Sequence, residues 1–209
     1  MPDGDLLAAG AEGDLIRRMQ QDDLDAFEAF FARHRGPVFR VAIGLTGDRQ
    51  LAEEILQETF TRAHQHRATL RPDVSPMPWL HRVALNLCYD ALGRRKPAVT
   101  PLDVNAHEII RDPAAGPSET AEREELGRIV REGIASLPPK YSGVLVLYYL
   151  QRMSLQEVAD TLGLQLGTVK SRVHHALRLL RAALEHDHRF SGVWAPIADE
   201  RVDGAEALA

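Results

Sequence analysis

Hydrophobic positions recur along this chain at three- and four-residue intervals, the period of helices that bury one stripe. A small, acidic, Gly/Ala-rich lead-in (1–13) is expected to fray, and from Asp14 the pattern is helical. Asp22 or Asp23 is placed to cap a helix carrying Leu24, Phe27, Phe30 and Phe31. Gly36-Pro37 is expected to break it, with a new segment through Val38, Val41, Ala42 and Leu45. Thr46-Gly47-Asp48 reads as a turn with a cap, leading into Leu51, Ile55, Leu56, Phe60 and Ala63 with acids between them. Leu70 to Pro78 holds three prolines and is expected as an irregular surface loop. A fourth helix follows from Trp79 to about Arg95, with Trp79, Leu80, Val83, Ala84 and Leu87 inward and Arg94-Arg95-Lys96 at its end, where cations suit the helix dipole.

Between Pro97 and Thr120 the pattern lapses: four prolines, few large apolar residues and a mild acidic excess mark a linker. Helical spacing resumes at Ala121 with Leu126, Ile129, Val130 and Ile134. Leu137-Pro138-Pro139 ends that helix and starts one through Val144, Leu145, Leu147, Tyr148 and Leu150. No two-residue alternation occurs. The expectation is an all-α chain of two small helical domains (14–96 and 121–186), a flexible linker (97–120) and a tail (187–209) containing Phe190 and Trp194.

The most specific stretch is Met153 to Glu185. Ser154 and Glu157 form a capping box, Leu155, Val158, Ala159 and Leu162 share one face, and Gly163 suits a helix end that needs positive φ. After a short connection, Thr168 is placed to cap a second helix with Val169, Val173, Ala176, Leu177, Leu180 and Leu184 on one stripe. Lys170, Ser171, His174, His175 and Arg178 fall on the other side. Two helices around a glycine turn, the second cationic and rich in hydrogen-bonding groups, form a helix-turn-helix able to read a major groove.

Charge refines this picture. The net charge is −5 and the sequence pI about 6.0, which argues against a DNA binder relying on bulk charge. Residues 1–60 carry twelve Asp/Glu against six Arg and no Lys, whereas Gln165–His186 carries Lys170, Arg172, Arg178 and Arg181 against Glu185. An acidic front and a basic back point to two different macromolecular partners. Cys88 is the single cysteine, so an intrachain disulfide and a cysteine-based zinc site are excluded. The close histidine pairs, His64/His66 and His186/His188, have a spacing that does not share a helix face, so no metal site is expected. No nucleophile motif, phosphate loop or dinucleotide fingerprint is present, so neither a cofactor nor catalysis is expected. The opening residues lack a signal-peptide pattern and no run is long enough to span a membrane, so the expected location is cytoplasmic.

The order of parts resembles the sigma-70 family of bacterial RNA polymerase sigma factors, and within it the extracytoplasmic-function (ECF) group. LAEEILQETFTRAHQH (51–66) resembles the segment of region 2 that grips the clamp helices of the largest polymerase subunit. PWLHRVALNLCYDALGRRK (78–96) is similar to the loop and helix that open and read the −10 element, and 137–184 to region 4, which reads the −35 element. The resemblance implies core-polymerase binding by Glu53, Glu54, Gln57 and Glu58. It implies −10 DNA binding by Trp79, Arg82, Asn86, Asp90, Arg94 and Arg95, next to loop 71–78. For the −35 element it implies Thr168, Lys170, Ser171, Arg172, His174, His175 and Arg178, with base and phosphate contacts unsorted.

Several positions depart from the family pattern. Leu85 and Gly93 stand where basic residues are common, Tyr141-Ser142-Gly143 replaces a more charged run, and His175 takes a frequent arginine position. The short N-terminus and linker are expected to leave no room for the extra domains of housekeeping sigmas. The resemblance therefore implies control by a separate anti-sigma protein, which would hold the chain near the membrane, in exchange with a nucleoid-associated, polymerase-bound form. The competing class is a stand-alone helix-turn-helix regulator, which would bind duplex DNA without core polymerase. The acidic 51–66 segment and the 78–96 stretch disfavour it.

Overall fold

A computed structural model describes residues 3–94 and 117–185, and every regular element among the described residues is helical. In chain order these are α1 (Asp3–Met19), α2 (Leu24–Thr46), α3 (Arg49–Gln65), a 3₁₀ turn (Arg67–Thr69), α4 (Met77–Arg94), α5 (Pro117–Ser136), α6 (Pro139–Leu145), a π-helical turn (Val146–Leu150), α7 (Leu155–Leu162) and α8 (Leu166–Glu185). The linker's 97–116 portion and the tail lie outside the described residues.

The local signals act largely as their chemistry dictates. Asp23 caps α2 by accepting from the Ala26 amide, and Asp48 caps α3 by accepting from Leu51. Gly47 between them takes φ 63°, a left-handed conformation that costs a glycine little. Around Phe30, the aromatic rings of Phe60 and His34 pack edge-on or tilted, and Phe31 meets Phe60 in the same way. The resulting core of α1 to α4 includes Ile16, Val38, Val41, Leu45, Leu80 and Ala84. On the other side of the molecule, α6 and α8 pack together over Val144, Val169, Val173, Ala176 and Leu180.

Five expectations need correction. The loop expected over 70–78 ends at Pro76, because Met77 and Pro78 already form the first turn of α4, where a proline's missing N–H costs nothing. The supposed frayed lead-in is helical from Asp3, because Ile16 and Met19 anchor α1 with 1% exposure each and Glu12 pairs with Arg33 and His34 of α2. Tertiary docking here overrides the weak helix propensity of its glycines. Gly36-Pro37 does not break α2. A proline in a helix interior costs about 3 kcal/mol, from the lost hydrogen bond together with the clash of its ring with the preceding turn, but Phe30 and His34 before it and Val38, Phe39, Val41 and Ala42 after it are all buried. Burial on both sides outweighs the lost bond. The helix expected from Ala121 begins at Pro117, with its missing N–H in the first turn, where it costs nothing. Lastly, α8 begins at Leu166, so Thr168 lies inside its first turn; the carbonyl of Gln165 accepts from the Val169 amide and opens the helix.

The two helical groups pack against each other, α2 and α4 meeting α5, the π-helical turn and α7. Two glycines set this contact. A Cβ at Gly44 of α2 would collide with Leu150, and a Cβ at Gly143 of α6 would collide with the Tyr89 hydroxyl of α4.

Candidate nucleic-acid interface

The helix-turn-helix is locally determined. Ser154 accepts from the Glu157 amide while the Glu157 carboxylate accepts from the Ser154 amide at 2.7 Å. Those hydrogen bonds hold the Glu157 carboxyl below its usual range. Gly163 takes φ 65°, and the Leu164 amide donates back to the Ala159 carbonyl, turning the chain into α8. Val158, Ala159, Val169, Val173, Ala176, Leu180 and Leu184 are buried, so the remaining face of α8 is set outward.

On that face Lys170, Ser171, His174 and Arg178 are exposed, while Thr168, Arg172 and His175 are half-buried. His175 differs from the others. Its ring packs on Tyr141 of α6 with 4.7 Å between centroids, and the Arg178 guanidinium donates to its Nδ1 at 2.8 Å. A guanidinium has only donors, so His175 accepts there. Lys140 sits over the Tyr141 ring at 4.8 Å, completing a cationic and aromatic edge beside the α8 face.

Helix α4 has three sides. Leu80, Ala84 and Cys88 face the α1–α4 core. Trp79, Asn86 and Asp90 follow a second stripe; Asn86 and Asp90 are exposed, and half-buried Trp79 meets the His66 ring edge-on at 6.3 Å. Along the third side, Arg82, Leu85 and Tyr89 meet the helix-turn-helix domain. Arg82 donates from Nε to the Thr161 carbonyl at 2.8 Å and from Nη2 to the Asp160 carbonyl at 3.3 Å, placing a cation at the C-terminus of α7. Tyr89 lies in hydrogen-bonding contact with Ser142 and the Gly143 backbone, and burial pushes its hydroxyl up to about 12. Arg94 closes α4, and Arg95 lies outside the described residues.

This third side explains two departures from the sequence pattern. Leu85 is 1% exposed, so a basic residue there would carry a charge into the contact. Gly143 leaves the space that Tyr89 fills. Tyr89, Gly143 and Gly44 were not candidate site residues; the uncharged Tyr141-Ser142-Gly143 run was the available signal.

The acidic candidates Glu53, Glu54, Gln57 and Glu58 are all exposed on α3. Within the helix, Arg49 pairs with Glu53, Arg62 with Glu58, and Gln50 donates to Glu54, so the charge is ordered along one surface. The loop before α4 presents Asp73, Val74 and Ser75 to solvent, with Val74 48% exposed, and Arg71 pairs with Asp73. Among the described residues no three potential metal ligands cluster, and His64 packs edge-on to Phe27. No described helix is long and apolar enough to cross a membrane.

The chain matches Sigma-70 region 2 over residues 30–97 and Sigma-70 region 4 over residues 127–180. It is 29% identical to the ECF RNA polymerase sigma factor SigW of Bacillus subtilis, covering 81% of this chain and 94% of that protein. It is 30% identical to the ECF RNA polymerase sigma factor SigL of Mycobacterium tuberculosis, covering 85% and 93%. Among solved structures, CnrH in complex with the cytosolic domain of CnrY aligns with a TM-score of 0.64 at 25% identity, covering 85% of this chain and 99% of that one. The sigma factor RpoE in complex with the anti-sigma factor NepR, from Bartonella quintana, shares the fold with a TM-score of 0.56 at 17% identity, covering 77% and 98%. The capping box, the outward cationic face of α8 and the helices before them are thus the parts of a known assembly: the chain belongs to the sigma-70 family of RNA polymerase sigma factors, in its ECF group.

Proposed function

We propose that the chain is an alternative sigma factor that binds core RNA polymerase, addresses two promoter elements and promotes strand opening, under the control of an anti-sigma protein. It acts by binding energy, without covalent chemistry. Its place of work is the cytoplasm, on the nucleoid when polymerase-bound and near the membrane when an anti-sigma protein holds it there. The observation that carries this reading is the exposed Lys170–Ser171–His174–Arg178 face of α8, built behind a capped helix-turn-helix and joined in one chain to a region 2 match.

Lys170, Ser171 and His174 suit base edges in the major groove, and Arg172, Arg178 and the first turn of α8 at Thr168 suit phosphates. His175 acts through the Tyr141 and Arg178 contacts. Loop 71–76, Trp79, Asn86 and Asp90 line the surface for an extruded −10 base, with Arg82, Arg94 and Arg95 as backbone cations. The α3 acids meet the clamp helices of the largest subunit, fixing orientation more than affinity. The domains behind these sites are α1 to α4 and α5 to α8, with the residues between Arg94 and Pro117 as the linker and 187–209 as the tail.

Two elements named for positions −35 and −10 are centred about 25 base pairs apart, on the order of 80 Å along the duplex. Arg82 on Thr161 and Tyr89 against Gly143 belong to an arrangement that must separate before both elements are engaged. The 22 residues between Arg94 and Pro117 span at most roughly 75 Å when extended, and the two domains supply the remainder.

The test is transcription by purified core polymerase on a genomic fragment library, with and without the full chain. Specific starts that need both components support the reading. Duplex binding by the chain alone, with no core association and no start, would replace it with a stand-alone regulator.

A further inference from the structure

Helix α1 and the turn after it grip the loop that precedes α4 at several points. Gly13 is buried where a Cβ would collide with the Pro72 carbonyl, so the helix backbone runs directly against the loop backbone. Gln20, just past α1, donates its side-chain amide to the Leu70 carbonyl at 2.9 Å and the Arg67 carbonyl at 3.3 Å. Both protons of one –NH₂ group are thereby committed to carbonyls on the two sides of the 3₁₀ turn. Asp22 pairs with Arg67, whose Nη1 donates to the His64 carbonyl. At the far end of the loop, Glu12 meets His34 Nε2 at 2.7 Å while His34 Nδ1 lies 3.1 Å from the sulfur of Met77, the first residue of α4.

These contacts fix both ends of the loop and one point inside it. Of residues 70–76, Arg71 and the tip at Asp73, Val74 and Ser75 remain exposed. We infer that Gln20 and Gly13 are positioning residues for −10 recognition: they hold residues 67–76 in the one conformation that presents this tip to the extruded base. The inference rests on the proposed −10 role of the loop and adds residues from outside the 78–96 stretch. The chemistry at the tip suits an unstacked base, with an apolar surface from Val74 flanked by the Ser75 hydroxyl and the Arg71–Asp73 ion pair.

The test uses holoenzyme formed from core polymerase and the full chain, on a promoter recovered from the transcription library and on versions substituted at −10 or at −35. The readout is the yield of open complex, measured by permanganate reactivity of unpaired thymines. Gln20→Ala removes two side-chain to backbone hydrogen bonds, and Gln20→Glu keeps the shape but turns acceptors toward both carbonyls. Each variant is expected to lower discrimination against −10 substitutions about tenfold, as two such bonds allow. Core affinity and discrimination against −35 substitutions should stay within about twofold. Gly13→Ala, which drives the helix off Pro72, should act in the same direction.

A general loss of folding would weaken core binding and both discriminations together, and that outcome would overturn the inference. So would unchanged −10 discrimination in both Gln20 variants while Val74→Ala alters it, leaving the loop's −10 role intact. If Val74→Ala and Asp73→Ala also leave −10 discrimination untouched, the −10 role of the loop falls and the inference with it.

Discussion

His81 of α4 is 4% exposed, and neither ring nitrogen has a partner. Burial, with the nearby charges of Arg40 and His34, pushes its pKa down to about 4 from an ordinary 6.5. The folded state thus binds fewer protons than the unfolded state between those values, and stability falls as the pH drops from 6.5 towards 4. The full shift corresponds to about 3 kcal/mol as an upper figure. Glu12 adds to the same acid limb lower down. Burial alone would raise its carboxyl, but hydrogen bonds from His34 and Arg33 outweigh that and hold it low, so its contribution is lost as pH falls through the folded value, below 4.5. His81→Leu, an apolar replacement for an unpartnered ring, is expected to flatten the loss between pH 6.5 and 4 in denaturant titrations. An unchanged pH dependence would show that His81 is not the group responsible.

At the scale of elements, most of the architecture was legible in the sequence because its signals are local. Ser154, Glu157 and Gly163 mark α7 by hydrogen bonding and by one φ value, needing no distant partner. Asp23, Asp48 and Gly47 do the same for α2 and α3. The misread elements were decided by partners remote in sequence. Helix α1 stands on Met19, Ile16 and the Glu12–His34 pair, and α2 passes through Pro37 because its burial continues on both sides. Neither is visible to a reading that scores glycine and proline by propensity. The same distinction runs through the candidate residues. Exposure of Lys170, Ser171 and His174 followed from helical periodicity, since the buried stripe fixes the opposite face. The engagement of Arg82 with Asp160 and Thr161, and of His175 with Tyr141, depends on how separate helices meet.

At the scale of the whole molecule, the contact between the two domains is a fit of side chains into glycine notches: Tyr89 at Gly143 and Leu150 at Gly44. Such contacts have two arrangements rather than a continuum, because a methyl group in the notch leaves no room for the partner. Gly143→Ala improves helix propensity within α6 by up to about 1 kcal/mol while displacing Tyr89, so it is expected to open the interface without unfolding α6. Labels on Asn86→Cys and Gln156→Cys, both exposed positions on α4 and α7, report the separation. The native Cys88 is buried with its thiol pushed up to about 12, so it does not compete for label. The variant is expected to show a longer mean label distance in the core-free chain. An unchanged distance would mean that the glycine notch does not hold the domains together.

The central claim is that α8 addresses the upstream promoter element while the α4 region of the same chain addresses the downstream one. Its most direct test compares wild type with a Lys170→Ala/His174→Ala double variant in core-dependent transcription, on promoters with an intact or a substituted −35 element. Removing two base-edge contacts, at about 1–3 kcal/mol each, should lower starts from the intact promoter by tenfold or more. It should add little once the −35 element is already substituted, because the contacts then have nothing left to read. Equal losses on both promoters would contradict the assignment of α8 to the −35 element.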